Sequence, residues 1–186
     1  MDNPETHIVV DMLYDFIDGA LACTHAAEAV SKSIEYINAH PGQKVLYVCD
    51  CHPKDHCSFR TNGGIWPVHC VKNTRGGAIH EDYYTRIENP ANRPSGNNIF
   101  YKGRTKELEE YSGFNAVNNE GEAISECCSG HVILSGIATE YCIKETVLAL
   151  YEHDFQVTLL KDALAYVDLQ GHRQTLAELG KIVTVK

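Results

Sequence analysis

The chain of 186 residues is 44% hydrophobic, which suits one soluble domain over residues 1–186 with a substantial core. A formal charge of −9 leaves no basic surface for nucleic acid or an anionic membrane, so small molecules are the expected partners. No apolar run is long enough to span a bilayer, and "MDNPETHIVV" lacks the basic start and apolar stretch of a secretion signal, so a cytoplasmic protein is expected, monomeric or homo-oligomeric.

In chain order, the β-branched run "THIVVDM" predicts a first strand, and "AAEAVSKSIEYINAH" a helix, because Ala27, Val30, Ile34 and Ile37 recur at helical spacing. "GQKVLYVCD" predicts the second strand. From about residue 50 to 98 the chain is rich in Gly, Pro, Asn and His without sustained periodicity, and a loop of that length in a compact domain is usually functional. "NIFYK" predicts a short third strand, "NNEGEAISECCS" a helix, "HVILS" the fourth strand and "TEYCIKETVLALYEHD" a helix. "FQVTLLKD", "LQGHRQTLAELG" and "KIVTV" then predict strand, helix and strand. The eight cysteines, Cys23, Cys49, Cys51, Cys57, Cys70, Cys127, Cys128 and Cys142, read as thiols, since the chain is large enough not to need disulfides.

Strands alternating with helices imply right-handed crossovers and an α/β fold whose parallel sheet is covered on both faces. Ligands in such sheets bind beyond the carboxyl ends of the strands. Strand one ends in Asp11, strand two in Asp50 with His52 just beyond, strand three in Lys102, and strand four leads through Gly136 to Cys142. Taken singly, Asp11 is a turn cap, Lys102 a solvated lysine and Cys142 core packing. Together they are a carboxylate, an ammonium and a thiol expected at one rim. A thiol attacks as thiolate, and Cys142 is expected near the third residue of a helix capped by Thr139, where the dipole and Lys102 would favour the anion. Asp11 would accept the thiol proton and return it to a leaving amine. Backbone N–H groups of "GIATEYC" would meet the oxyanion.

"VVDMLYDF", "DCHPKDHCSF", "WPVHC", "FYKG" and "SGIATEYC", in this order from about residue 8 to 162, resemble the nicotinamidase/pyrazinamidase branch of the isochorismatase-like cysteine hydrolases. The resemblance implies a three-layer α/β/α fold, Rossmann-like, with a six-stranded parallel sheet. It implies a triad of Asp11, Lys102 and Cys142, a cis peptide between Ile137 and Ala138, and an oxyanion hole from the amides of Ala138 and Cys142. It also implies a substrate pocket drawn from Phe16, Trp66, Ile137 and Tyr141. The activity it implies is hydrolysis of nicotinamide to nicotinate and ammonia through a cysteine thioester, with pyrazinamide also accepted.

In the long loop, Asp50 and His52 fall two apart, so an extended backbone projects them from one face and Cys49 and Cys51 from the other. Carboxylate and imidazole suit one divalent ion, zinc first and manganese or iron as alternatives, in a site that keeps open positions. The resemblance assigns ligation to Asp50, His52 and His69, with His56 as a fourth ligand or a neighbour. Cys51 departs from the family, where many members carry a bulky aromatic, and the pair Cys127–Cys128 is read as a helix face. Two other readings stand beside this one. Another isochorismatase-like amide hydrolase would share the triad, and a structural zinc-binding interaction module would use the cysteines and histidines between 49 and 70 and leave the triad unexplained.

Overall fold

The structure, a computed structural model, describes residues 5–186. Six parallel strands form one sheet: β1 (Thr6–Val10), β2 (Lys44–Asp50), β3 (Ile99–Lys102), β4 (His131–Gly136), β5 (Gln156–Leu164) and β6 (Thr184–Val185), in the order β3-β2-β1-β4-β5-β6. The helices are α1 (Tyr14–Ile17), α2 (Ala26–Ala39), α3 (Asp82–Thr85), α4 (Ile124–Cys127), α5 (Lys144–Glu152) and α6 (Leu169–Leu179). Among the described residues, no helix is long and apolar enough to cross a membrane.

The period of two along each strand builds two cores. Val9, Val45, Tyr47 and Cys49 face one side and pack with Ala29, Val30, Ile34 and Ile37 of α2. Ile8, Val10, Leu46, Val48, Phe100 and Leu134 face the other and pack with Ile143, Val147 and Leu150 around α5 and Leu179 of α6. Each fully buried aliphatic side chain contributes about 1.5–3 kcal/mol, so burial on both faces fixes the register of the central strands. Val10 accordingly pairs with Val48 and Gly136, and Asp50 pairs with Lys102. The strands approach closely at Gly136 (φ +144°), where any Cβ would run into the backbone of Val10. The strand order reverses direction between β1 and β4, and the crevice at their carboxyl ends is where a ligand fits.

Two predicted elements are much shorter than expected. The helix over 118–129 contracts to α4, because the Asn118 side chain accepts the N–H groups of Glu120 and Glu122 and Gly121 turns with φ +86°. Cys128 lies just past that helix, half-buried with Cys127 against the core. The last strand keeps only Thr184–Val185, because the Ile182 and Val183 N–H groups both bond the Leu179 carbonyl at the end of α6. The long loop is held by short helical turns, including α3, and by bonds to distant segments, among them Tyr14 N–H to Ala78 O at 3.1 Å and Cys57 N–H to Lys106 O at 2.8 Å.

Candidate active site

Asp11 follows β1 in a left-handed conformation (φ 51°), which a short polar residue tolerates. Its N–H still bonds Val48 O at 2.9 Å, so the side chain is delivered to the sheet's end while the chain turns toward α1. Asp11 Oδ1 accepts the Asp50 N–H at 2.8 Å, and Asp11 Oδ2 lies 2.9 Å from Lys102 Nζ. The same ammonium is paired with Asp50 Oδ1 and stands 3.4 Å from Cys142 Sγ. Asp11, Lys102 and Cys142 are all buried. The three elements of the expected triad therefore meet at one point.

Electrostatics here depart from the sequence expectation. Burial and the Asp50 charge push the Asp11 carboxyl up to about 6, against the pull of Lys102. Burial also raises Asp50, but Lys102 and His52 outweigh it and hold that carboxyl well below its usual range. Burial pushes the Cys142 thiol well above its usual value despite Lys102, with Asp11 and Asp50 adding to the rise. Burial thus opposes a thiolate at Cys142, and Lys102, which favours one, is shared with the Asp11 and Asp50 carboxylates. Thr139 is not the helix cap: its hydroxyl donates to Ala165 O at 3.1 Å, and Cys142 sits in a π-helical turn, Thr139–Ile143, that starts after Ala138 without a side-chain cap.

The Ile137–Ala138 peptide is cis. Among the described residues the Ala138 N–H has no acceptor, while the Ala138 carbonyl takes the N–H groups of Tyr141 and Ile143. The Ala138 amide is thus free to meet an oxyanion beside Cys142.

Next to this centre, Asp50, His52 and His69 bring one donor atom each to within 4.8 Å of one another, all buried. His52 Nδ1 is 2.9 Å from Gly103 O and His69 Nδ1 is 2.8 Å from Pro67 O. As donors to those carbonyls, both rings keep Nε2 for a ligand, the usual arrangement of metal-binding histidines. His52 Nε2 is buried with no hydrogen-bond partner, and Gly103 (φ +65°) leaves room where a Cβ would lie 2.5 Å from His52 Cε1. The donor set and the orphaned nitrogen fit a divalent cation. His56 stays outside the group. Its ring stacks on His52 at 4.0 Å, but its Nδ1 is engaged with Ser58 Oγ at 2.7 Å and its Nε2 with Leu108 O at 3.0 Å. Cys49, Cys51, Cys57 and Cys70 join neither this group nor the one formed by Asp11, Asp50 and Cys142, which removes the basis for a cysteine-rich structural site.

Both centres open on one cleft of about 380 Å³ including its mouth, lined in part by Phe16, Trp66, His69, Tyr141 and Cys142. Trp66 meets Tyr141 edge-on at 5.0 Å and its Nε1 donates to Tyr111 Oη at 3.1 Å, so the indole is braced as a wall. Ile137 does not line the cleft. Its N–H continues the sheet to Val10 O at 3.0 Å and its side chain is wholly buried in the core around α2. The sequence reading missed Leu21, Cys23, Glu109, Tyr111 and Val167, which also line the cleft. Val167 follows the carboxyl end of β5 and was findable by the strand-end rule, whereas 109 and 111 lie in an aperiodic stretch.

Residues 5–185 match the family described as the Isochorismatase domain. The chain belongs to this family. A crystal structure of pyrazinamidase of Pyrococcus horikoshii in complex with zinc is 32% identical, covers 98% of each chain and superposes with a TM-score of 0.82. The yeast nicotinamidase structure is 26% identical over 97% of this chain and 98% of its own, with a TM-score of 0.82. The nicotinamidase of Escherichia coli is 26% identical over 90% of this chain and 85% of its own length. The resemblance to the nicotinamidase/pyrazinamidase branch and the six-stranded fold of the isochorismatase family are both borne out.

Proposed function

We propose that this isochorismatase-family protein hydrolyses nicotinamide to nicotinate and ammonia, and also takes pyrazinamide. The observation that carries the reading is one cleft shared by the Asp11–Lys102–Cys142 centre and the Asp50–His52–His69 group, in a chain similar to a pyrazinamidase in complex with zinc and to nicotinamidases.

In this reading the Cys142 thiol passes its proton to Asp11 as sulfur attacks the amide carbon. Lys102 offsets the negative charge gathered between Asp11 and Asp50. The carbonyl oxygen becomes an oxyanion facing the Ala138 amide, with the Cys142 amide as its second donor. The C–N bond breaks as Asp11 returns the proton to the leaving nitrogen, and ammonia departs. Water, giving a proton to Asp11, then attacks the thioester, and the C–S bond breaks to release the acid and restore the thiol. Asp50, His52 and His69 would hold one divalent ion, zinc in view of the similar pyrazinamidase in complex with zinc, which when bound supplies an electrophilic anchor for the ring nitrogen. Phe16, Trp66 and Tyr141 would hold the flat ring and keep bulk water out.

The test is ammonia release from nicotinamide, pyrazinamide, benzamide and an aliphatic amide, with metal content measured on the same sample. The reading expects the first two to be good substrates and benzamide, which lacks the ring nitrogen, to be poor. Equal rates on benzamide and nicotinamide by the metal-loaded protein would overturn the role of the ring nitrogen, and no release from any amide would overturn the activity.

A further inference from the structure

Glu140 lies two residues before Cys142, inside the turn that carries the free Ala138 amide, and its side chain reaches across to the segment after β5. Its Oε1 accepts the Val167 N–H at 3.1 Å and the Asp168 N–H at 2.7 Å, and its Oε2 lies 3.3 Å from the Val167 nitrogen. Asp168 is the cap of α6, with its own carboxylate accepting the Gly171 N–H at 2.7 Å. The Glu140 carboxylate is thus seated where α6 begins, an end whose dipole favours negative charge.

A second observation is independent of these hydrogen bonds. A Cβ on Gly171 would fall 3.2 Å from Glu140 Cγ, so the first turn of α6 leaves room for the Glu140 stem. The adjacent Thr139 is tied to the same segment: its N–H and hydroxyl both donate to Ala165 O, at 2.9 and 3.1 Å. Its one hydroxyl hydrogen is used there, so the 2.9 Å contact with His172 Nδ1 has the imidazole donating. Two consecutive residues therefore fasten the nucleophile's turn to the 165–172 segment, whose Val167 lines the same cleft as Cys142.

We propose that Glu140 is a positioning residue: by clamping the Ala138–Cys142 turn to the start of α6, it sets how the Ala138 amide and the Cys142 thiol face a substrate resting against Val167. The inference rests on the amidohydrolase reading above and adds a residue to it. A carboxylate bonded to two successive backbone amides resists small rotations of the turn. Displacements of about 1 Å at a reacting centre cost up to about a hundredfold in rate.

The experiment uses the metal-loaded full chain with Glu140→Ala, Glu140→Gln and Gly171→Val. Hydrogen exchange at the Val167 and Asp168 amides is read alongside steady-state kinetics on nicotinamide. In Glu140→Ala, exchange at these two amides should accelerate while the central strands stay protected, and kcat should fall about tenfold or more with KM moving less than about threefold. Glu140→Gln keeps an oxygen for both N–H groups and should restore kcat to within about threefold of the parent. Gly171→Val leaves the carboxylate in place but takes its room, and should reproduce the loss. Wild-type kcat in Glu140→Ala, or exchange unchanged at both amides, overturns the clamp. A kcat loss in Glu140→Gln as large as that in Glu140→Ala overturns it too. A parent protein that releases no ammonia overturns the amidohydrolase reading instead, and the exchange result then still decides whether the clamp exists.

Discussion

The Asp50 N–H donates a 2.8 Å hydrogen bond to Asp11 Oδ1. One residue just past β1 and the last residue of β2 thereby join the thiol centre to the metal-suited group through a bond from the Asp50 backbone to the Asp11 side chain. Lys102, ending β3, lies against both carboxylates. The two carboxylates, held at the ends of adjacent parallel strands, share one alignment, which any slip of strand register would destroy.

Cys142→Ala should reduce ammonia release by at least about a thousandfold while metal content stays unchanged, since Cys142 is outside the Asp50–His52–His69 group. Mass spectrometry after treatment with a thiol-reactive substrate analogue should find the label on Cys142. Labelling at Cys23, the other thiol of the cleft, whose burial pushes it up to about 12, would reassign the nucleophile.

Lys102→Met should destabilise the fold by about 3–5 kcal/mol, because it leaves two buried carboxylates facing each other without their cation. Adding Asp11→Asn removes one of those charges, so the double variant should recover part of the loss in urea unfolding of the metal-free protein, where no ion offsets Asp50. Strict additivity of the two substitutions would remove the pairing from the account.

Replacing His52 and His69 together by Ala should abolish tight binding of a divalent ion and with it the preference for nicotinamide over benzamide. Metal analysis and the ratio of kcat/KM for the two amides check this. A variant that keeps the ratio while losing the metal would dissociate ring recognition from the ion.

His7 predicts part of the acid sensitivity of the fold. It is wholly buried, with Nε2 2.8 Å from Ser135 Oγ, and burial, then the charge of His40, lower it to about 3. The unfolded chain takes up this proton near 6.5 and the folded one only near 3, so stability falls as pH drops through that window. The contribution is about 1.4 kcal/mol per pH unit at most. His7→Gln should flatten the slope of unfolding free energy between pH 6 and 4. An unchanged slope would mean that His7 is protonated in the native state.

The sheet and the three strand-end residues Asp11, Asp50 and Lys102 were legible in the sequence, because strand periodicity is local and a parallel α/β sheet puts its chemistry beyond the carboxyl ends. The resemblance added the cis peptide at Ile137–Ala138 and the Asp50–His52–His69 set, which the structure brings together. Other features needed the tertiary structure. Local sequence favoured an anionic Cys142, but the sign of its pKa shift depends on burial and on Lys102 being shared between two carboxylates from other strands. His56 is withdrawn from ligation by Ser58 Oγ and by Leu108 O, the latter 52 positions away, and Glu140 finds its partners at 167 and 168. Hydrogen bonds between segments distant in the chain leave no periodic trace along it, so packing alone decided which polar side chains face the cleft and which brace it.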